Sequence, residues 1–310
     1  MNADISVIIP LYNKEREIER TLRSALAQTL PAREIIVVDD GSTDRSAEIV
    51  ARIASQAPSV RLIRQPNAGV CAARNRAVAA SSGELVALLD ADDVWRPGFL
   101  AEIAALRAAW PGCGLYCTAF DIAAADGEYP APTHTERGIV DDFFARSAHR
   151  YIAIPSAAAI PRRIFDEAGG FPVGMKMGED LYLWIRIASR HPVCFSPERL
   201  VCYSKEASNR SAAIWTPEQT RYTFEELYDP SAPEAQNEFV ARAALGRALV
   251  ISAKGGTAEA ARAVRFFGYT KIYRRTLRKV RILNALPVGW RQPLLRLYNA
   301  LAWRLARRGL

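Results

Sequence analysis

Acidic residues are missing from the end of this chain: between Ala261 and Leu310 Arg and Lys recur, with no Asp or Glu. The net charge of +8 is therefore uneven, and the rest of the chain is close to balanced. A one-signed tail suits an acidic partner, either an anionic membrane surface or a nucleic acid. No recognised nucleic-acid-binding module accompanies the charge, so none is expected as partner. Histidine is scarce too: His134, His149 and His191 stand apart and form no ligand set. The five cysteines (Cys71, Cys113, Cys117, Cys194, Cys202) lack zinc-like spacing, and their odd number argues against a disulfide framework. Buried free thiols in a reducing compartment follow. No stretch approaches the ~18 uninterrupted apolar residues of a spanning helix. The longest candidate, Phe239 to Ala253, contains Arg242 and Arg247. Asp4 interrupts the N-terminus, so a signal peptide is not expected. Neither Gly-x-Gly-x-x-Gly after the first strand nor Gly-x-x-x-x-Gly-Lys-Ser/Thr occurs, which removes most of the case for dinucleotide redox chemistry and P-loop phosphoryl transfer. The expectation is a cytoplasmic protein, peripheral on the inner face of the cell membrane.

What is present is a core: 310 residues, 50% hydrophobic, enough for one large or two medium domains. Strand and helix patterns alternate through the first hundred positions. Ser6-Val7-Ile8-Ile9 reads as a strand stopped by Pro10, and Glu34 to Val38 as a second. Val60 to Ile63 and Leu85 to Leu89 read as a third and fourth. Between them, Glu15 to Gln28 places Ile18, Leu22, Ala25 and Leu26 on one helical face. Ser42-Thr43-Asp44 reads as the cap of a helix to about Ser55, and Gly69 to Ala80 as a third helix. Such alternation implies a parallel, doubly wound sheet.

Polar groups gather at the C-terminal ends of three of these strands: Tyr12 and Asn13, Asp39 and Asp40, then Asp90, Asp92 and Asp93. That edge is where open α/β sheets bind ligands. Three carboxylates in four positions repel unless a cation neutralises them, and a hard divalent ion with a diphosphate would do so. The plainer alternative is a solvated acidic turn. Further on, Gly178-Glu179-Asp180 opens a strongly apolar helix, where the two acids could simply cap the helix N-terminus. From Pro217 the pattern is helical, with Glu218 to Tyr228 and Ala235 to Ser252 read as helices. Between Trp290 and Trp303, apolar Leu294, Leu295, Leu297, Tyr298 and Leu301 are interspersed with Arg291 and Arg296. This pattern fits a membrane interface, or else a helix packed on its own protein with a solvated basic face.

The segments Ser6 to Asn13, Glu34 to Asp44, Asn67 to Asn75, Asp90-Ala91-Asp92-Asp93 and Gly178-Glu179-Asp180, in that order, closely resemble the family 2 glycosyltransferases, inverting enzymes of the GT-A fold. The resemblance runs from Ile5 to about Ser211. It implies a GT-A α/β fold: a Rossmann-like, mostly parallel sheet flanked by helices, with a helical basic C-terminal extension. The expected domains are 1–215, divided into a nucleotide-binding half (1–110) and an acceptor-binding half (111–215), followed by 216–310. By resemblance, Pro10 and Tyr12 line the base and ribose pocket, and Asp39 accepts the uracil N3–H, favouring a uridine diphosphate sugar. Arg74 and Asn75 help bind the nucleotide. Asp90 lies near ribose and metal, Asp92 is the direct ligand of Mg²⁺ or Mn²⁺, and Asp180 is the general base beside Glu179. Family members often carry a His after the Asp180-type helix; here Glu206 stands in its place, a partial replacement as metal ligand or a surface Glu beside Lys205. The implied reaction is transfer to a hydroxyl of a cell-surface glycan or lipid-linked acceptor. The alternatives are a non-catalytic sugar-nucleotide-binding or scaffold protein on the same fold, and a nucleotidyltransferase, which usually opens with a Gly-rich loop absent here.

Overall fold

The structure, a computed structural model, describes residues 4–148, 150–206 and 220–307. The stretch Ala207 to Ser211, the start of the helix expected over Glu218 to Tyr228, and the side chains of Leu301, Trp303 and Arg304 lie outside the described residues; of the described part of that helix only a 3₁₀ turn, Phe224–Leu227, forms. Two compact units divide the chain, Met1–Tyr222 and Thr223–Leu310.

The first unit opens as β1 (Ile5–Leu11), α1 (Ile18–Leu26), β2 (Glu34–Asp39), α2 (Ser46–Ala54), β3 (Val60–Arg64), α3 (Val70–Ala80) and β4 (Leu85–Leu88). All four strands pair in parallel in the order β3-β2-β1-β4. Every residue of β1 and β2 is buried, as strands covered by helices on both faces must be. Pro10 does not stop β1. Its nitrogen faces the β4 side, where pairing has already ended at Ile8↔Leu88, so the missing N–H leaves no gap. The β2 side continues to Leu11↔Asp39, which sets Asp39 level with the end of β1.

The sheet then turns mixed. The chain continues as β5 (Val94–Trp95), α4 (Phe99–Ala109), β6 (Leu115–Ala124), β7 (Gly127–Pro130), β8 (Gly138–Ile139) and α5 (Phe143–Ser147). Next come β9 (Ala158–Pro161), α6 (Arg162–Glu167), α7 (Glu179–Ala188) and β10 (Val193–Ser204). β9 runs antiparallel between β4 and β6, and β10 lies parallel to β6 and antiparallel to β5. Sequence patterning missed β10. Pro197, Glu198 and Arg199 interrupt its alternation, and the register shifts on either side of Arg199, as at a bulge. All five cysteines are free.

The second unit is helical: α8 (Glu234–Ala253), α9 (Thr257–Phe266), α10 (Arg274–Ala285) and α11 (Val288–Arg307). Its core includes Phe239, Leu245, Phe267, Leu277 and Val280. No described helix is long and apolar enough to cross a membrane. Arg291, in the first turns of α11, is buried and has no carboxylate partner among the described residues. Its guanidinium donates instead to the carbonyls of Leu286, Ser252 and Asn284, and to the side-chain oxygens of Thr257 and Asn284. One side chain thus joins α8, α9, α10 and α11. Arg291→Leu leaves those carbonyls without their donors and should lower stability by about 3 kcal/mol in denaturant unfolding of the full chain.

Candidate functional site

The acidic loop after β4 is held from two sides. From α1, the Thr21 hydroxyl donates its one proton to the carbonyl of Asp93 at 2.8 Å, with the carbonyl of Ala91 sharing it at 3.1 Å, and Arg20 donates to the carbonyl of Asp92. From across the sheet, the Ser156 hydroxyl and the Ser204 N–H donate to Asp93 at 2.5 and 2.8 Å. Asp93 is therefore a buried structural clamp. Burial, then the charges of Asp92 and Asp90, push its carboxyl well above the usual range. Ser156 Oγ also accepts the Asp90 N–H at 3.0 Å, fixing the backbone from which that side chain projects.

Asp90 and Asp92 have different neighbours. Asp92 Oδ2 accepts from Lys14 Nζ at 2.9 Å. Burial and the charge of Asp90 nonetheless raise the Asp92 carboxyl, against the pull of Lys14. Asp90 Oδ1 accepts from Arg74 at 2.7 Å, and the other arm of the same guanidinium reaches Glu179 Oε1 at 3.1 Å. Arg74 also stacks over the Phe171 ring at 4.8 Å, and its buried Nε–H has no acceptor among the described residues. Burial alone would lower the Arg74 pKa, but the charges of Asp90 and Glu179 outweigh it and shift it upward.

The turns that place these groups have clear local causes. Asp40 accepts from Gln65 Nε2 and from the N–H groups of Ala68 and Gly69, anchoring the start of α3 and with it Arg74. Gly41, at φ +76°, lies so close to Asn67 that a Cβ would sit 2.9 Å from its backbone nitrogen. Asn13 adopts a left-handed φ of 50°, held by the Ser42 hydroxyl and the Thr43 N–H. Ser42 and Thr43 thus brace the turn after β1. They do not cap α2, but Asp44 does part of that work: its Oδ1 accepts the N–H of Ser46, the first residue of the helix, at 3.0 Å, while Arg45 at the N-cap position offers no capping bond. The turn leaves Tyr12 36% exposed at the rim and buries Lys14 against Asp92.

The remaining expected site residues divide in the same way. Pro10 is buried within β1. Asp39 is buried, and its one side-chain hydrogen bond among the described residues is the Ser42 N–H onto Oδ1, leaving Oδ2 without a protein donor. Both ends of the Asn75 amide are engaged by the backbone of Phe171, donating to its carbonyl and accepting its N–H, each at 2.9 Å. Glu206 is exposed, two positions beyond the Ser204 that holds Asp93.

At the first turn of α7, half-buried Asp180 accepts its neighbour Leu181's N–H at 2.8 Å. Burial, followed by the charge of Glu179, pushes its carboxyl up to about 7; the Leu181 N–H and Arg74 act in the opposite direction. Through Arg74, the structure brings Asp90, Glu179 and the field around Asp180 into one cluster, with Asp92 and Lys14 beside it. Sequence reasoning missed Lys14 and Ser156. The usable signal for Lys14 was the demand for positive charge near three acids; for Ser156 there was none.

The model of the family described as glycosyl transferase family 2 matches residues 6–169, more than half of the chain. An uncharacterised glycosyltransferase of Nostoc sp. is 49% identical over 100 residues, 32% of this chain and 31% of that protein. The succinoglycan biosynthesis protein ExoU of Rhizobium meliloti is 31% identical over 194 residues, 59% of this chain and 56% of that protein. The chain thus spans about a third of the first relative and a little over half of the second. Among solved structures, S. aureus TarS 1–349 in complex with UDP-GlcNAc matches with a TM-score of 0.67 at 19% identity, covering 97% of this chain and 92% of that one. A mannosyltransferase of Pyrobaculum calidifontis, in complex with GDP-Man and Mn²⁺, matches with a TM-score of 0.56 at 20% identity, over 94% of this chain and 88% of that one. The fold shared with these structures is GT-A.

Proposed function

Because the chain belongs to glycosyl transferase family 2, we propose that it transfers a sugar from a uridine diphosphate donor to a hydroxyl of a cell-surface glycan or lipid-linked acceptor, with inversion. The observation that carries this reading is Asp180, a carboxyl poised near pH 7 and coupled through Arg74 to Asp90 at the strand-end edge. A base of that pKa is matched to taking the proton of an acceptor hydroxyl at neutral pH. As the proton leaves for Asp180, the hydroxyl oxygen attacks the anomeric carbon, and the bond to the diphosphate breaks with its electron pair. Glu179 raises Asp180 by its charge and is itself held by Arg74.

On the donor side, the free Oδ2 of Asp39 suits a uracil N3–H, and exposed Tyr12 suits stacking at the rim. The UDP-GlcNAc held by TarS supports a uridine donor, and the name of ExoU supports a polysaccharide product.

The residues present also fit a divalent cation. Asp92, with the like charge of Asp90 near it, would hold Mg²⁺ or Mn²⁺: burial first, and then Asp90, raise its carboxyl even beside Lys14, and a bound cation would offset both. One or two carboxylates plus phosphate oxygens is the usual Mg²⁺ ligand set. Among the described residues no three His, Cys, Asp or Glu side chains form a metal group, so nucleotide oxygens, with Glu206 as a further ligand, complete the proposed set. When bound, the ion neutralises charge developing on the leaving diphosphate.

A thermal-shift panel of nucleotide sugars with Mn²⁺ tests the reading: UDP-sugars should stabilise the protein and GDP-sugars should not. The loss of one charged ligand oxygen, about 2 kcal/mol, should make Asp92→Asn bind the donor about thirtyfold more weakly with metal present. Without metal the two proteins should bind alike. Glu206→Ala should reduce metal dependence to a smaller degree, and an unchanged metal titration would remove Glu206 from the set.

A further inference from the structure

The second unit carries a surface that the transfer chemistry does not use. On α10, Leu277, Val280 and Leu283 face inward, and the opposite face presents Arg275, Arg278 and Ile282, the last 65% exposed. On α11, the buried Arg291 fixes the inward side. Trp290, Leu294 and Leu297 recur at helical spacing on another side and are exposed, Trp290 at 67% and Leu297 at 58%. The two faces meet where Lys279 Nζ donates to the Tyr298 hydroxyl at 2.6 Å and lies over its ring at 4.3 Å. The result is one continuous strip: guanidinium groups on one helix, an indole and two leucines on the next, and no carboxylate in either helix.

We propose that this α10–α11 face docks on an anionic phospholipid surface. Charge complementarity selects the occupant. A second copy of the chain would set this cationic face against itself, with no acid on either side to offset the repulsion. A nucleic acid would use the arginines but leave the adjoining Trp290, Leu294 and Leu297 without a role. A bilayer takes both: headgroup phosphates meet Arg275 and Arg278, while Trp290 and the leucines enter the boundary between headgroups and acyl chains. The Lys279–Tyr298 contact holds the basic and apolar halves in register. The inference stands independently of the donor and acceptor assigned above.

Co-sedimentation of the full chain with vesicles of phosphatidylcholine alone, or with phosphatidylglycerol added, tests it at 0.1 M salt, near the ionic strength where the Debye length is ~10 Å. Binding should require phosphatidylglycerol and fall as salt rises. Arg275→Glu with Arg278→Glu should weaken partitioning at least about tenfold. Trp290→Ser with Leu297→Ser should weaken it at all salt concentrations. Circular dichroism melts of each variant establish that it is folded before it is scored. Absence of binding by the folded wild type overturns the proposal, as does equal binding to neutral vesicles. So does tighter binding to a DNA duplex that displaces the vesicles at the same salt, or a dimer in sedimentation that Trp290→Ser dissociates.

Discussion

Asp180→Asn should lower turnover by about 10²–10⁴-fold, while UDP-sugar affinity, measured by titration with metal present, stays within about twofold of wild type. The amide keeps the size of the carboxyl and can still accept the Leu181 N–H, so the helix start is preserved and only the proton acceptor is removed. The wild-type rate should rise with pH up to about 7 and then level off, because only the ionised carboxyl can take a proton and burial has raised it to that point. Stability carries the opposite sign. The folded pKa of about 7 lies above the ordinary value of 3.8, so between those values the folded state holds a proton that the unfolded state has released. The contribution is therefore fully present below about 4 and is lost as pH rises through 7. At pH 8 the wild type carries an ionised, partly desolvated carboxylate beside Glu179. Asp180→Asn lacks it and should be more stable by about 2 kcal/mol there, with a difference of less than half that at pH 5 and almost none below about pH 4. A variant that gains stability and loses turnover in this pattern identifies a functional carboxylate held at a structural cost. Full activity of the variant would remove Asp180 from the base role, and a loss of stability would show it to be a helix-capping group.

The four parallel strands were legible because each is a short apolar run closed by a turn, and burial from both faces demands that composition. The polar strand ends were legible for the related reason that a buried run must release its polar residues where it leaves the sheet. Legibility ended where partners are far apart in sequence. Arg74 and Glu179 are separated by 105 positions, and Asp93 is held by groups 63 and 111 positions away. No local pattern encodes such pairs. The strand-end acids raised the question of a neutralising cation, and the fold gives part of the answer with Lys14 and Arg74. Leu26 shows the same limit on a smaller scale: its spacing joins it to Ile18 and Leu22, yet α1 ends there and leaves it exposed.

Arg74→Met should destabilise the protein by about 3–5 kcal/mol, since it strands two carboxylates, Asp90 and Glu179, beside a site already crowded with negative charge. The methionine can still lie over Phe171, so the loss is assigned to charge and hydrogen bonding more than to volume. As a positioning residue Arg74 has a second consequence, which distinguishes that role from plain structural support. Its charge lowers the Asp180 carboxyl, so removing it should push Asp180 higher still and move the pH–rate profile of the surviving enzyme to higher pH. Arg74→Lys restores the charge but not the planar fork: one ammonium cannot span Asp90 and Glu179 as two guanidinium arms do. The lysine variant should therefore return the pH profile most of the way toward wild type, while recovering only part of the stability. If the methionine variant loses stability but keeps the wild-type profile, Arg74 is a structural tie alone. If lysine restores both properties fully, the forked bridge between the strand-end acid and the α7 acid carries no weight of its own, and a single positive charge at that point is all the site requires.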